Sequence, residues 1–229
     1  MIKRFFAYDG TLMGILYKIG ELIMLSVVYL ICCIPLVTIG SATASLYYAV
    51  MKSVRRDCGT PIKEFFGSMK RTLGRGCLYT IIIALWYAAL WLGRSYSIAL
   101  NSQTGDIMLM VYLAIMIMSL GIVIYIFPIL SRFRMSNFSM WKLAFVMSMR
   151  FFPITVALVV GTVLIGLVYF YELPAPCILF IPGLWCWVTT FLMERALLAY
   201  MPKPKEGEEA WYYPPKKDKH ESDEHAEKR

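Results

Sequence analysis

The sequence predicts an all-α protein, a polytopic bundle of transmembrane helices with about six membrane segments. We expect one hairpin among them to be broken at Pro35 and Gly40, and amphipathic helices on the cytoplasmic side. Three observations predict this class. Of the 229 residues, 59% are hydrophobic and only 17% are charged, whereas a soluble domain is about 25% charged. The mean hydropathy is +0.61. Several apolar runs approach the roughly 20 residues that cross a bilayer as a helix.

Five of these apolar runs are unambiguous. They lie at about 20–36, 77–97, 107–130, 152–171 and 177–199. Lysine and arginine favour the cytoplasmic side of a membrane protein. The first run has basic residues both before it, at Lys18, and after it, at Lys52, Arg55 and Arg56. A single crossing cannot place both of these flanks in the cytoplasm.

The stretch CCIPLVTIGSATASLYY, residues 32–48, resolves this conflict. Pro35 lacks an N–H and disfavours continued helix, and Gly40 permits a tight turn. We therefore expect 20–35 to run outward, 36–40 to form an uncharged turn on the outer side, and 41–54 to return. The returning limb either crosses fully or stops partway as a re-entrant hairpin.

The remaining loops follow the same charge rule. The loop at 98–106 has no Lys or Arg and is expected outside, 131–150 is basic and expected inside, and the turn at 171–176 is expected outside. We therefore expect a multi-pass protein of the cell membrane with both termini in the cytoplasm. Residues 1–201 form the transmembrane domain, and the polar, charge-mixed segment 202–229 is typical of a disordered cytoplasmic tail.

Two basic segments before membrane runs look alike, KEFFGSMKR at 63–71 and KLAFVMSMR at 142–150. In helical form each would lie in the headgroup layer, with the phenylalanines on one side. We expect them to help form a partner-docking surface on the inner face. Its candidate residues are Arg55, Arg56, Phe65, Phe66, Lys70, Arg71, Arg132, Arg134 and Arg150. Anchoring to anionic membrane lipids explains the same charges equally well, and nucleic acid is not expected as a partner.

The sequence lacks the residues of an enzyme site. The two histidines lie in the tail, and no phosphate-binding glycine loop, serine nucleophile elbow or zinc-type cysteine pair is present. We therefore expect no catalytic residues, no metal and no cofactor. Three ionisable residues lie near the ends of apolar runs: Glu21, Arg94 and Glu194. A charged neighbour, or a side chain long enough to reach the membrane–water interface, accounts for each of them without a functional role.

The N-terminal residues also carry a resemblance. The segment from Phe5 to Arg71 resembles the signature of the YesL-like family, small bacterial integral membrane proteins long classed as a domain of unknown function. The resemblance rests on the Phe65-Phe66 segment and on a set of signature residues. These are Asp9, Gly10, Pro35, Thr38, Gly40, Tyr47 and Tyr48. Members often lie beside carbohydrate importer subunits. The resemblance therefore implies an accessory or assembly role in ATP-driven (ABC-type) carbohydrate uptake, with the importer's permease subunits as partners.

Two other functions stay open. A stand-alone small-solute transporter or channel would need a polar path at membrane depth. The residues best placed to line it are Thr38, Ser41, Thr43 and Ser45. A membrane enzyme is the least favoured, because no site for its chemistry is evident.

Overall fold

The structure, a computed structural model, describes residues 11–100, 102–133, 135–170, 175–198 and 200. Within these ranges the chain forms seven α-helices and no strand, which confirms the all-α class. The helices are α1 (Thr11–Cys32), α2 (Ile39–Ala49), α3 (Pro61–Ala99), α4 (Gln103–Arg132), α5 (Asn137–Arg150), α6 (Phe152–Phe170) and α7 (Ala175–Leu198). A 3₁₀ turn (Leu36–Thr38) precedes α2, and a π-helical turn (Val50–Arg55) follows it. Asp9, Gly10, Arg134 and 202–229 lie outside the described residues.

Two of the described helices, α3 and α4, are long and apolar enough to cross a membrane. A third candidate is α5 together with α6 as far as Leu167, a pair bent by 99° at its junction. The apolar runs of the sequence therefore fold as helices, as expected. The number of six membrane segments stays a prediction, since two or three described helices meet both the length and the composition criteria.

The first apolar run ends in a reversal of the chain. Tyr29 and Thr43 face each other across the reversal, with their hydroxyl oxygens 3.3 Å apart. Further along, the Lys18 ammonium pairs with the Asp57 carboxylate at 3.0 Å. The return limb thus comes back to the level at which the outgoing limb began. The predicted hairpin is confirmed, with its non-helical part at residues 33–38 instead of 36–40.

Gly40 has a different role from the predicted one. It does not form the turn but lies in the first turn of α2, packed against α3. Its backbone N–H donates to the Thr80 hydroxyl at 3.0 Å. A Cβ added at Gly40 would lie 2.8 Å from the Gly76 carbonyl oxygen, and one at Gly76 would lie 2.7 Å from the Cα of Ser41. Only glycine at both positions allows the two backbones to approach so closely.

The first basic segment, 63–71, is not a separate amphipathic helix. It is the opening part of α3, a single helix of 39 residues that continues into the membrane-spanning run. Pro61 is accommodated at the start of the helix, where a missing N–H costs nothing, and basic side chains do not interrupt a helix. The second segment, 142–150, does fall in a separate helix, because α5 ends at Arg150 and α6 leaves at 99°.

The core surrounds α2. Every residue of α2 from Gly40 to Ala49 is buried except Thr43, which is half-buried. The first part of α3, as far as Tyr79, covers α2 with a face of buried side chains that includes Phe65 and Thr72. In the rest of α3 the buried residues are Leu90 and Ser97. The bundle is therefore thick around α2 and thin around the last twenty residues of α3.

We expect Gly76→Ala to destabilise the protein by about 1–3 kcal/mol, because the added methyl overpacks the contact with Ser41. Gly74→Ala is the matched control on the same helix, since nothing lies within 4 Å of a Cβ there. Removing a glycine from an exposed helix position stabilises by up to about 1 kcal/mol. Melting temperature in mild detergent is the measurement. Equal melting temperatures for the two variants would contradict the close contact.

Candidate functional site

One end of the bundle holds a buried ion network on the last helix. Glu194 of α7 is 5% exposed. Its Oε2 atom lies 2.5 Å from Nη2 of Arg55, and its Oε1 atom lies 2.5 Å from Nη2 of Arg56. Each carboxylate oxygen thus has its own guanidinium, a charge-assisted contact of the strong kind. The network joins the end of the α1–α2 hairpin to α7 across 138 positions of sequence.

Arg55 contacts α7 in two further ways. Its Nη1 donates to the Thr190 carbonyl oxygen at 2.9 Å. Its guanidinium carbon lies 4.2 Å from the centre of the Phe191 ring. A planar guanidinium can make these contacts together, whereas a lysine ammonium could not reproduce the fork and the stacking at once.

The π-helical turn explains how two consecutive arginines reach one carboxylate. Arg55 is the last residue of that turn, and Arg56 follows with φ −104° and ψ 0° as the chain leaves the helix. Two adjacent residues of a regular α-helix point about 100° apart. The wider turn and the exit from it bring both side chains to Glu194. Short π-helical insertions are frequent at functional sites.

A third predicted arginine lies beside this network. Arg132, at the end of α4, is half-buried, and its guanidinium carbon lies 5.7 Å from the centre of the buried Tyr47 ring. Glu194, Arg55 and Arg56 are all within electrostatic range of it. The structure therefore brings two of the predicted basic residues together on one carboxylate, and a third lies near enough to feel their charge.

The other predicted basic residues that the structure describes lie on the surface. Lys70, Arg71 and Arg150 are exposed. Arg71 donates from Nε to the Gly67 carbonyl oxygen at 3.1 Å and lies over the Tyr48 ring at 5.1 Å. Arg150 donates from Nη1 to the Tyr200 hydroxyl oxygen at 3.3 Å. Within the described ranges, the predicted basic residues thus divide into a buried ion network and exposed groups that can meet a lipid or a protein.

The two phenylalanines of the predicted set also differ in their exposure to solvent. Phe65 is fully buried in the core, and Phe66 is 44% exposed. Their rings meet edge to face with centroids 5.5 Å apart. Both were predicted on one side of the helix, yet one ring is buried and the other exposed, because consecutive helical residues point about 100° apart. Phe66 alone can contact a partner.

The hydroxyl groups of the hairpin bond to its own backbone. Thr43 donates to the Ile39 carbonyl oxygen at 2.7 Å, and Ser45 donates to that of Ser41 at 2.6 Å. Ser41 donates in turn to the carbonyl oxygen of Thr38 at 2.9 Å. Ser41 and Ser45 are also fully buried. These groups pack α2 against its neighbours, and this arrangement does not favour a polar path along them.

Sequence reasoning missed the role of Glu194. Its position near the end of the last apolar run suggested that it reaches water, yet the structure buries it between two arginines. The signal was present in the sequence, since a carboxylate within an apolar run is costly unless a partner neutralises it. Lys18, the charged neighbour of Glu21 in the sequence, pairs with Asp57.

The fold and the apolar helices define an integral membrane protein. A family model described as "Protein of unknown function, DUF624" matches residues 22–93. The matched range begins in α1, includes the whole of α2 and the π-helical turn, and ends in α3. No curated protein and no solved structure matches the chain.

We expect Glu194→Gln to cost about 3 kcal/mol, because it leaves two half-buried guanidinium groups without their counter-charge. The matched control is Asp57→Asn, which removes an exposed partner of Lys18 and should change stability by less than about 1 kcal/mol. Thermal unfolding in detergent measures both. If Glu194→Gln melted together with the wild type while Asp57→Asn did not, the buried network would not support the fold.

Proposed function

We propose that this protein is an accessory or assembly subunit of the cell membrane, associated with ATP-driven (ABC-type) carbohydrate uptake. It is multi-pass, with both termini in the cytoplasm, and it docks on the permease subunits of the importer through its basic inner face. The carbohydrate link comes from the family resemblance. The docking face comes from the geometry of α3.

One observation carries the proposal. The first part of α3 exposes a ridge of large apolar side chains, Ile62, Phe66 and Leu73, which are 37%, 44% and 41% exposed. Residues at these spacings lie within about 40° of one another around a helix. Lys63 and Lys70 are exposed alongside the ridge. An apolar anchor with a charged rim is the arrangement found in docking surfaces.

The part of α3 that carries the ridge is packed against the core on its opposite side. Phe65, Ser68 and Thr72 of the same helix are buried against the core. A pre-ordered helix loses little conformational entropy when a partner binds, which favours protein docking. Anchoring to lipid headgroups requires the basic charge alone and is the competing explanation.

A stand-alone transporter or channel is the second candidate, and it has less support. The hydroxyl groups that would line its path at Ser41, Thr43 and Ser45 donate to backbone carbonyls of their own helix. Such bonding leaves no hydroxyl proton free to replace the hydration of a solute.

The double variant Phe66→Ala, Lys70→Gln tests the docking face. We expect about a thirtyfold loss of co-purifying permease in gentle detergent, because an exposed aromatic anchor contributes on the order of 2 kcal/mol to a docked interface. Quantitative peptide identification after affinity purification of the full chain is the measurement.

Leu92→Ala is the matched control, since Leu92 is 70% exposed on the far part of the same helix. It should keep the permease at wild-type amounts. Lys70→Arg should also retain the partner. Wild-type protein that captures no permease, or a double variant that captures as much as the wild type, would refute the proposed role.

A further inference from the structure

The contacts between the α1–α2 hairpin and α3 show how far the hairpin extends along the axis of α3. Gly40 follows the tip of the hairpin, residues 33–38, and lies beside Thr80, because its amide donates to the Thr80 hydroxyl at 3.0 Å. At the other end of the hairpin, Lys52 pairs with Glu64 at 2.8 Å. The α2 limb therefore runs antiparallel to the first half of α3. Its Gly40 lies level with Thr80, and the tip extends past that level by up to about 8 Å, since Leu36 lies four residues before Gly40 at about 2 Å per residue.

Beyond Thr80, α3 continues to Ala99. These nineteen positions correspond to about 28 Å along the helix axis at 1.5 Å per residue. Because the tip extends about 8 Å past Thr80, about 20 Å separates it from Ala99 along the helix axis. Transmembrane helices tilt by up to about 40°, which would still leave about 15 Å of depth between the tip and the α3–α4 turn. The hydrocarbon core is about 30 Å thick. When the turn after Ala99 lies at the outer surface, the hairpin tip therefore lies at the midplane or in the inner half of the bilayer.

The surface of the tip fits an apolar surrounding. Ile34, Leu36 and Val37 are 78%, 74% and 47% exposed. No charged side chain interrupts the segment from Leu22 to Met51. Three large aliphatic side chains at the tip of a turn would be costly in water, whereas acyl chains solvate them without cost.

Several polar groups of the tip are satisfied within the hairpin itself. The amide of Cys33 donates to the Tyr29 carbonyl oxygen at 2.9 Å, and that of Thr38 donates to the Pro35 carbonyl oxygen at 2.9 Å. The Thr38 hydroxyl lies 2.6 Å from the Cys32 carbonyl oxygen and 2.7 Å from that of Pro35. Irregular backbone can lie at membrane depth only when its polar groups are satisfied in this way.

We infer that the α1–α2 hairpin is re-entrant: it enters the inner leaflet from the cytoplasm and turns back at residues 33–38 without reaching the outer surface. This replaces the expected outer position of 36–40 and decides between the two alternatives for the returning limb. Lys18 and Asp57 remain together on the cytoplasmic side. The inference rests on membrane insertion with the α3–α4 turn outside, and it does not depend on an importer partner.

Single cysteines at Leu36 and at Ser102, each in a variant of the full chain with its own six cysteines replaced, test this inference. In intact cells an impermeant maleimide should label position 102 and leave position 36 unlabelled. A nitroxide at position 36, in the purified protein in lipid vesicles, should collide with oxygen and be protected from a water-soluble nickel complex. The nitroxide at position 102 should show the reverse.

Each outcome decides the question. Labelling of position 36 from outside would overturn the re-entrant hairpin, and so would a nickel accessibility equal to that at position 102. If position 102 did not label from outside, the α3–α4 turn would not lie at the outer surface, and the re-entrant hairpin inferred from it would be overturned. Co-purification of permease is measured separately, so loss of the proposed function would leave these results unchanged.

Discussion

The contact between α2 and α3 at Gly40 and Gly76 is the constraint on which the remaining structure depends. At this point two helix backbones approach without intervening side chains, and the Thr80 hydroxyl accepts the Gly40 amide proton. The approach buries α2 and sets the depth of the hairpin against α3. It also directs the π-helical turn toward α7. The ion network at Glu194 can form only because the hairpin is already held in this position.

Much of the helical plan could be predicted from the sequence. Apolar runs mark the helices because a helix at membrane depth satisfies its own backbone, and Pro35 marks the reversal. The continuity of α3 was missed, because the charge pattern and not the positions of helix-breaking residues set the predicted boundary. Lys63, Lys70 and Arg71 indicate a position near the headgroups, but the positive-inside rule concerns position relative to the membrane and does not mark where a helix ends. Only helix-breaking residues do, and between Pro61 and Ala99 there is no second proline.

The candidate site was predicted in part for a similar reason. A charge count finds the basic residues of the inner face, but it does not distinguish Arg55, which binds a buried carboxylate, from Arg71, which lies on the surface. That distinction depends on helices brought together from distant parts of the chain. Phe65 and Phe66 show the same limit on a smaller scale, since the rotation of α3 about its axis decides which ring is buried.

The unbroken length of α3 gives the molecule a mechanical property. About 21 positions separate Phe66 from residue 87, near the middle of the apolar run, which is a lever arm of roughly 31 Å. A change of about 10° in the tilt of this rod would move Phe66 sideways by about 5 Å. Helices adjust their tilt to the thickness of the surrounding bilayer. The lateral position of the exposed ridge is therefore coupled to membrane thickness through a single rigid element.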